Sequence, residues 1–127
     1  MAEVYVDGPI EGQILKLDEP LSFWGGFDPA TGEIIDVNHP QCGQSIKGKV
    51  LALPYAKGSA GTPAAVCEAI RAGCGPVAIL VREPDANLAT GLRVAEQLYG
   101  ISIPSQQIGA ETFDQLTTNQ SYSHSNM

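Results

Sequence analysis

The sequence predicts an α/β domain of three layers, β/β/α, on three observations. Residues 3–36 hold short β-type segments broken by Gly, Pro and Asp, with no helical period. Residues 49–53 (KVLAL) and 77–81 (VAILV) are continuous apolar runs, the kind buried on both faces of a parallel sheet. Each run leads into a segment with apolar residues at helical spacing. The second half therefore reads β-α-β-α-β, and such crossovers join parallel strands.

Taken in order, EVYVD at 3–7 alternates and predicts a strand, which Gly8-Pro9 breaks. Residues 13–17 (QILKL) predict a second, closed by Asp18-Glu19-Pro20, and these hairpin strands are expected to need a layer of their own. Residues 21–27 begin as a strand, but Gly25-Gly26 predict a bend or a close backbone approach. The DPATG run at 28–32 predicts a turn, 33–36 a short strand and 37–44 a loop.

Pro54 ends the next strand, and a loop at 55–61 leads into a helix with Thr62 as its N-cap and Pro63 at its first position. Ala65, Val66, Ala69 and Ile70 form its inward face, and Gly73 or Gly75 ends it. A second helix starts at Glu83-Pro84-Asp85, turns Leu88, Leu92, Ala95 and Tyr99 inward, and stops at Gly100. Residues 101–103 predict a last short strand before Pro104. The domain is expected to span 1–116, with the polar, aliphatic-free tail at 117–127 disordered.

Of 127 residues, 43% are hydrophobic, enough for one domain with a core. The net charge of −7, with only seven basic residues and no cluster beyond Lys47-Gly48-Lys49, argues against binding nucleic acid or an anionic membrane. No apolar run approaches a membrane span, and the first twelve residues lack the pattern of a signal peptide. A cytoplasmic protein is the expectation. The three cysteines, Cys42, Cys67 and Cys74, form no C-x-x-C pair and no disulfide framework, so no metal site is assigned to this chain. Cys67 lies on an apolar helix face and reads as core; Cys42 lies in a polar loop.

Residues 54–63 (PYAKGSAGTP) carry the most chemistry. A buried strand ends, a glycine-rich loop turns and a helix begins, which aims backbone N–H groups at the positive end of a helix. Ser59 sits among small residues, with Lys57 two positions away. The loop reads either as an anion-binding turn with a working serine or as an ordinary strand-to-helix connection. It matches neither a P-loop nor a nucleophile elbow. A helix dipole contributes at most about 2 kcal/mol, far short of what ionising a free serine hydroxyl needs, so a cation or metal-bound substrate must supply the rest.

The segment around Trp24, Gly25 and Gly26 reads as a substrate loop or partner interface, or as a bulge with Phe23 or Trp24 in the core. His39 reads as a general acid or ligand, or as a loop histidine making structural hydrogen bonds. Asp28 and Asp36 fit turn and loop duties better than acid–base work.

The run at 21–36 (LSFWGGFDPATGEIID), then His39-Pro40, Gly43, residues 46–54, Lys57-Gly58-Ser59, residues 68–73, 76–80, Gly91 and Tyr99-Gly100, resemble the swivel domain, or small subunit, of the aconitase X family. The resemblance covers roughly residues 3–108. It implies a swivelling β/β/α domain like the mobile domain of aconitase. It implies a large catalytic partner subunit carrying an iron–sulfur cluster, and a dehydratase acting on a small hydroxylated acid. The proton acceptor falls on Ser59, with Lys57, Gly58, Ala60, Trp24, Gly25, Gly26 and His39 toward the substrate. The family implies two substrates, cis-3-hydroxy-L-proline in bacterial members and phosphomevalonate in archaeal ones; the FWGG loop, His39-Pro40 and residues 68–73 look more like the former. A binding module with no chemistry of its own is the competing class. The chain departs from many members after Ser59, where only Thr62 could replace a further serine.

Overall fold

The computed structural model describes residues 3–23, 25–57 and 61–124. The first half supplies β1 (Glu3–Val6), β2 (Ile10–Lys16) and the short pieces β3 (Leu21–Ser22), β4 (Phe27–Asp28) and β5 (Glu33–Ile34). Then come β6 (Val50–Leu53), β7 (Ala56–Lys57), α1 (Thr62–Arg71), β8 (Ala78–Val81) and α2 (Ala86–Tyr99). The chain finishes with β9 (Ser105–Gln107), α3 (Gly109–Asp114) and β10 (Ser121–His124).

The main sheet has the order β1-β9-β8-β6-β2-β10. Its centre, β2-β6-β8-β9, is parallel and laid side by side in chain order, while β1 and β10 run antiparallel at the two edges. Parallel strands added in one direction by right-handed crossovers place every connection on one face. On that face α1, α2 and the β3–β5 segment pack against Leu51, Leu53, Ile79 and Val81. The alternate residues, Val50, Ala52, Ala78 and Leu80, point the other way and meet Ile108, Phe113 and Leu116 around α3. The α/β expectation holds, with the strands β6 and β8 buried along their whole length.

Four local expectations are corrected. The early strands form no hairpin: β1 joins β9 and β2 joins β6, with three strands between β1 and β2. The connection crosses the amino ends of the parallel strands, passing Gly8 beside Pro104, and Gly12, already in β2, lies beside Val50 and Val77. The separate β units are instead β3 with β7 and β4 with β5. The strand expected at 101–103 lies after Pro104, at β9; its Ser-Gln-Gln sequence is buried between covered faces and carries no apolar alternation. Tyr99 is 41% exposed, because the last turn of α2 runs past the packed part of the helix. The tail is structured as far as His124: Asn119 donates to Ile14 O at 2.7 Å, Ile14 donates to Gln120 O at 2.9 Å, and β10 pairs with β2. Polar side chains fail to signal this strand because its backbone groups, not its side chains, find partners on an open edge. Residues 125–127 lie outside the described residues.

Candidate functional site at the carboxyl rim of the sheet

Gly58, Ser59 and Ala60 lie outside the described residues, as does Trp24. The structure defines their frame. β6 ends at Leu53, and the chain is held there by Arg82 donating to Leu53 O and Glu83 to Pro54 O, both at 3.0 Å. It then forms β7, which pairs in parallel with β3 in the register Leu21↔Ala56 and Ser22↔Lys57. The chain leaves β7 toward Ser59 and leaves β3 toward Trp24. A two-residue parallel ladder thus launches both sequence-predicted loops from one edge, beyond the carboxyl end of β6. Open α/β sheets place their ligands at that end of the strands.

On the far side of the loop, α1 begins with Gly61 as its N-cap, and no side chain caps it among the described residues. Thr62 is the first helical residue, not the cap. Its side chain is completely enclosed and its hydroxyl donates to Lys57 O at 3.4 Å. That hydroxyl is therefore turned into the protein, where it cannot meet a substrate in this conformation. The Lys57 side chain is exposed at the rim.

In the second loop, Phe23 and Phe27 are buried edge to face, with ring centroids 5.5 Å apart. Phe23 is core. Gly26 requires its lack of a side chain: an added Cβ would lie 2.8 Å from Ser22 O, and the Gly26 N–H itself donates to that oxygen at 3.1 Å. Gly25 has φ +99° and is exposed with open space around it. A cleft of about 290 Å³ opens beside Phe23, Gly25, Phe27, Ala65 and Glu68.

His39 is 5% exposed. Its Nδ1 accepts from the Gln41 N–H at 3.0 Å, which puts the proton on Nε2, facing Glu19 O at 3.1 Å. Both nitrogens are engaged by backbone, the geometry of a structural clamp. Asp28 accepts from Ala30 N–H and Asp36 from Asn38 N–H, each at 2.9 Å, the turn duties that sequence assigns them. Cys67 and Cys74 are buried and donate to Gly91 O and Ala30 O, while Cys42 is exposed. Burial pushes the Cys67 thiol's pKa up. Among the described residues no three His, Cys, Asp or Glu side chains gather at metal-binding distance, so these residues do not fit an iron–sulfur cluster.

One residue at the rim escapes sequence reading as a site residue. Asp85 is the N-cap of α2, with Oδ1 accepting from Leu88 N–H at 3.0 Å. Its Oδ2 accepts from Ala56 N–H at 2.8 Å, and its own N–H donates to the Tyr5 hydroxyl at 2.9 Å. The start of the helix at Glu83-Pro84-Asp85 was legible from the sequence; the link to Ala56, twenty-nine residues away, was not.

The family profile of the aconitase X swivel domain matches residues 1–125. The chain belongs to the aconitase X swivel-domain family. The crystal structure of Thermococcus kodakaraensis aconitase X (holo-form) superposes with a TM-score of 0.84 at 31% identity, over 96% of this chain and 87% of that one. The cis-3-hydroxy-L-proline dehydratase of Pseudomonas aeruginosa is 45% identical over 87% of this chain, which spans only 19% of that protein's length. The phosphomevalonate dehydratase small subunit of Methanothermobacter thermautotrophicus is 36% identical over 80% of this chain and 84% of that subunit. The swivel domain thus resembles a part of one relative and most of another. No helix among its described residues is long and apolar enough to cross a membrane.

Proposed function

We propose that this swivel domain is the small subunit of an aconitase-X-type dehydratase, that it contributes Ser59 as proton acceptor, and that its substrate is cis-3-hydroxy-L-proline. The observation that carries the reading is the 45% identity with a cis-3-hydroxy-L-proline dehydratase over 111 residues. A large partner completes the site and carries the iron–sulfur cluster, which this chain's described residues do not fit. When bound there, the cluster supplies a Lewis acid toward the substrate's oxygens.

In this reading the substrate lies between the rim and the partner. Ser59, as alkoxide, takes the proton from the substrate carbon; the carbon–oxygen bond breaks with departure of hydroxide, and the proton held on Ser59 then passes to that hydroxide, which gives water and returns Ser59 to the alkoxide. The resulting enamine tautomerises to a cyclic imine. The amino end of α1, which no side chain caps among the described residues, and the Gly58-Ser59-Ala60 backbone stabilise negative charge at the loop. Lys57, exposed beside the loop, attracts the substrate carboxylate, and Gly25, with open space around it, leaves room for the approach. The enclosure of Thr62 supports Ser59 over Thr62 as the acceptor.

A second substrate has its own support. The chain is 36% identical to a phosphomevalonate dehydratase small subunit and spans 84% of that subunit's length. The assembled protein, assayed on both compounds, separates the two. Turnover of phosphomevalonate alone overturns the hydroxyproline reading. A Ser59→Ala protein that assembles and retains near-normal turnover makes the chain a non-catalytic module.

A further inference from the structure

We infer that Asp85 is a positioning residue for the Ser59 loop, an inference that rests on the proposed role of Ser59. Asp85 is 8% exposed, and each of its carboxyl oxygens accepts one backbone N–H. One bond belongs to α2 and one to β7. The carboxyl therefore clamps the first turn of a fourteen-residue helix to the strand that enters the serine loop three residues later.

β7 needs such a clamp. It is only two residues long, and its ladder to β3 is equally short. On its other side Tyr55 is exposed, and a cleft of about 480 Å³ lies beside Tyr55, Glu83 and Asn87. A two-residue strand at the sheet's rim has little of its own to hold it, since isolated strand pairs are marginal in water. The Asp85–Ala56 bond is 2.8 Å long and buried. The Tyr5 hydroxyl accepts from the Asp85 N–H, which ties the same point to β1. Three segments distant in sequence meet at this one residue, and one of them, β7, leads into the serine loop.

Aspartate suits this duty for a chemical reason. An N-cap needs one acceptor, which Ser or Asn supplies equally well. Two simultaneous N–H acceptors pointing apart require both oxygens of a carboxylate. Asp85→Asn keeps an acceptor for Leu88 and turns an NH₂ donor toward the Ala56 N–H. Asp85→Ser keeps a cap and falls short of Ala56.

The test reads the tether and the turnover separately. In the full chain carrying either substitution, the Leu88 amide should stay protected from hydrogen exchange, with the Ala56 amide exchanging about tenfold faster or more. In the enzyme assembled with its large partner, kcat on cis-3-hydroxy-L-proline should fall roughly 10- to 100-fold with KM changing less than about threefold, since misplacing a reacting group costs the chemical step. Unchanged protection at Ala56, or a loosened Ala56 with full kcat, overturns the inference. Ser59→Ala is measured alongside: full turnover there overturns the serine assignment itself, and any positioning role toward it, whereas intact protection at Ala56 overturns the tether alone.

Discussion

The Thr62 hydroxyl donates to the carbonyl of Lys57 across the four residues 58–61, Ser59 among them. This bond, 3.4 Å long, closes the base of the loop, and Thr62 is fully enclosed where it makes it. Thr62→Val keeps the shape and removes the donor. It should cost about 1 kcal/mol, the usual worth of one such bond, and lower kcat of the assembled enzyme, while Thr62→Ser should restore kcat. Urea midpoints and steady-state turnover check both; equal loss in the serine variant would place the effect in packing rather than in the hydroxyl.

Gly91 sits in the middle of α2 where the helix crosses α1. A Cβ there would lie 3.0 Å from Pro63 O, 3.1 Å from Pro63 Cα and 3.1 Å from Val66 Cβ. Gly→Ala in a helix interior ordinarily gains about 1 kcal/mol, and overpacking a close contact costs about 1–3. The contact is with backbone, which yields poorly, so the clash should win. Gly91→Ala is expected to lower the thermal midpoint; a rise would show that the helices separate freely.

Ser105 in β9 is fully enclosed, and its hydroxyl has no hydrogen-bond partner among the described residues. An unsatisfied buried hydroxyl costs about 1–3 kcal/mol. Ser105→Ala removes it with almost no change of volume and should raise the denaturation midpoint. A lower midpoint would mean that the hydroxyl is satisfied, by a buried water or otherwise.

Alkaline pH should weaken the fold. Burial raises the pKa of the Cys67 thiol above the usual 9.0, and burial also raises the Tyr5 and Tyr122 phenols above the usual 10.0. Each group is neutral at lower pH in both states. As pH rises past 9 and then 10, the unfolded chain releases these protons first, so stability falls until the folded-state values are passed. Urea midpoints measured from pH 8 to 11 should decline, and Cys67→Ala should delay the onset. A flat profile would contradict the burial of Cys67 and Tyr5 and the partial burial of Tyr122.

Much of the architecture was legible because local chemistry signals it. The apolar runs at β6 and β8 can only be buried on both faces, and Pro63, Asp85 and Gly100 mark helix ends by their own backbone and capping properties. The two loops that converge on the rim were also singled out, by their glycines and by the family resemblance. The convergence itself was not. Leu21 and Ala56 are thirty-five residues apart and become neighbours only through the β3–β7 ladder.

His39 shows why residue type alone is insufficient. The same imidazole serves as ligand, acid or clamp, and only the positions of Gln41 N and Glu19 O assign both its nitrogens to backbone. Asp85 shows the converse, a plain helix cap whose second oxygen reaches a strand no spacing rule connects to it. The polar segments at β9 and β10 fall in the same group, since their strands exist to satisfy backbone groups of neighbours and carry no side-chain pattern.

By itself, then, the sequence determined the elements whose cause is local: two buried strands, two helices, a glycine-rich turn before the first of them, and membership of a family recognised residue by residue. Tertiary structure decided which edges pair, which carboxyl holds which amide, and which hydroxyl is enclosed. Those outcomes depend on hydrogen bonds and packing between residues far apart in the chain, and such bonds leave no periodic trace in the order of amino acids.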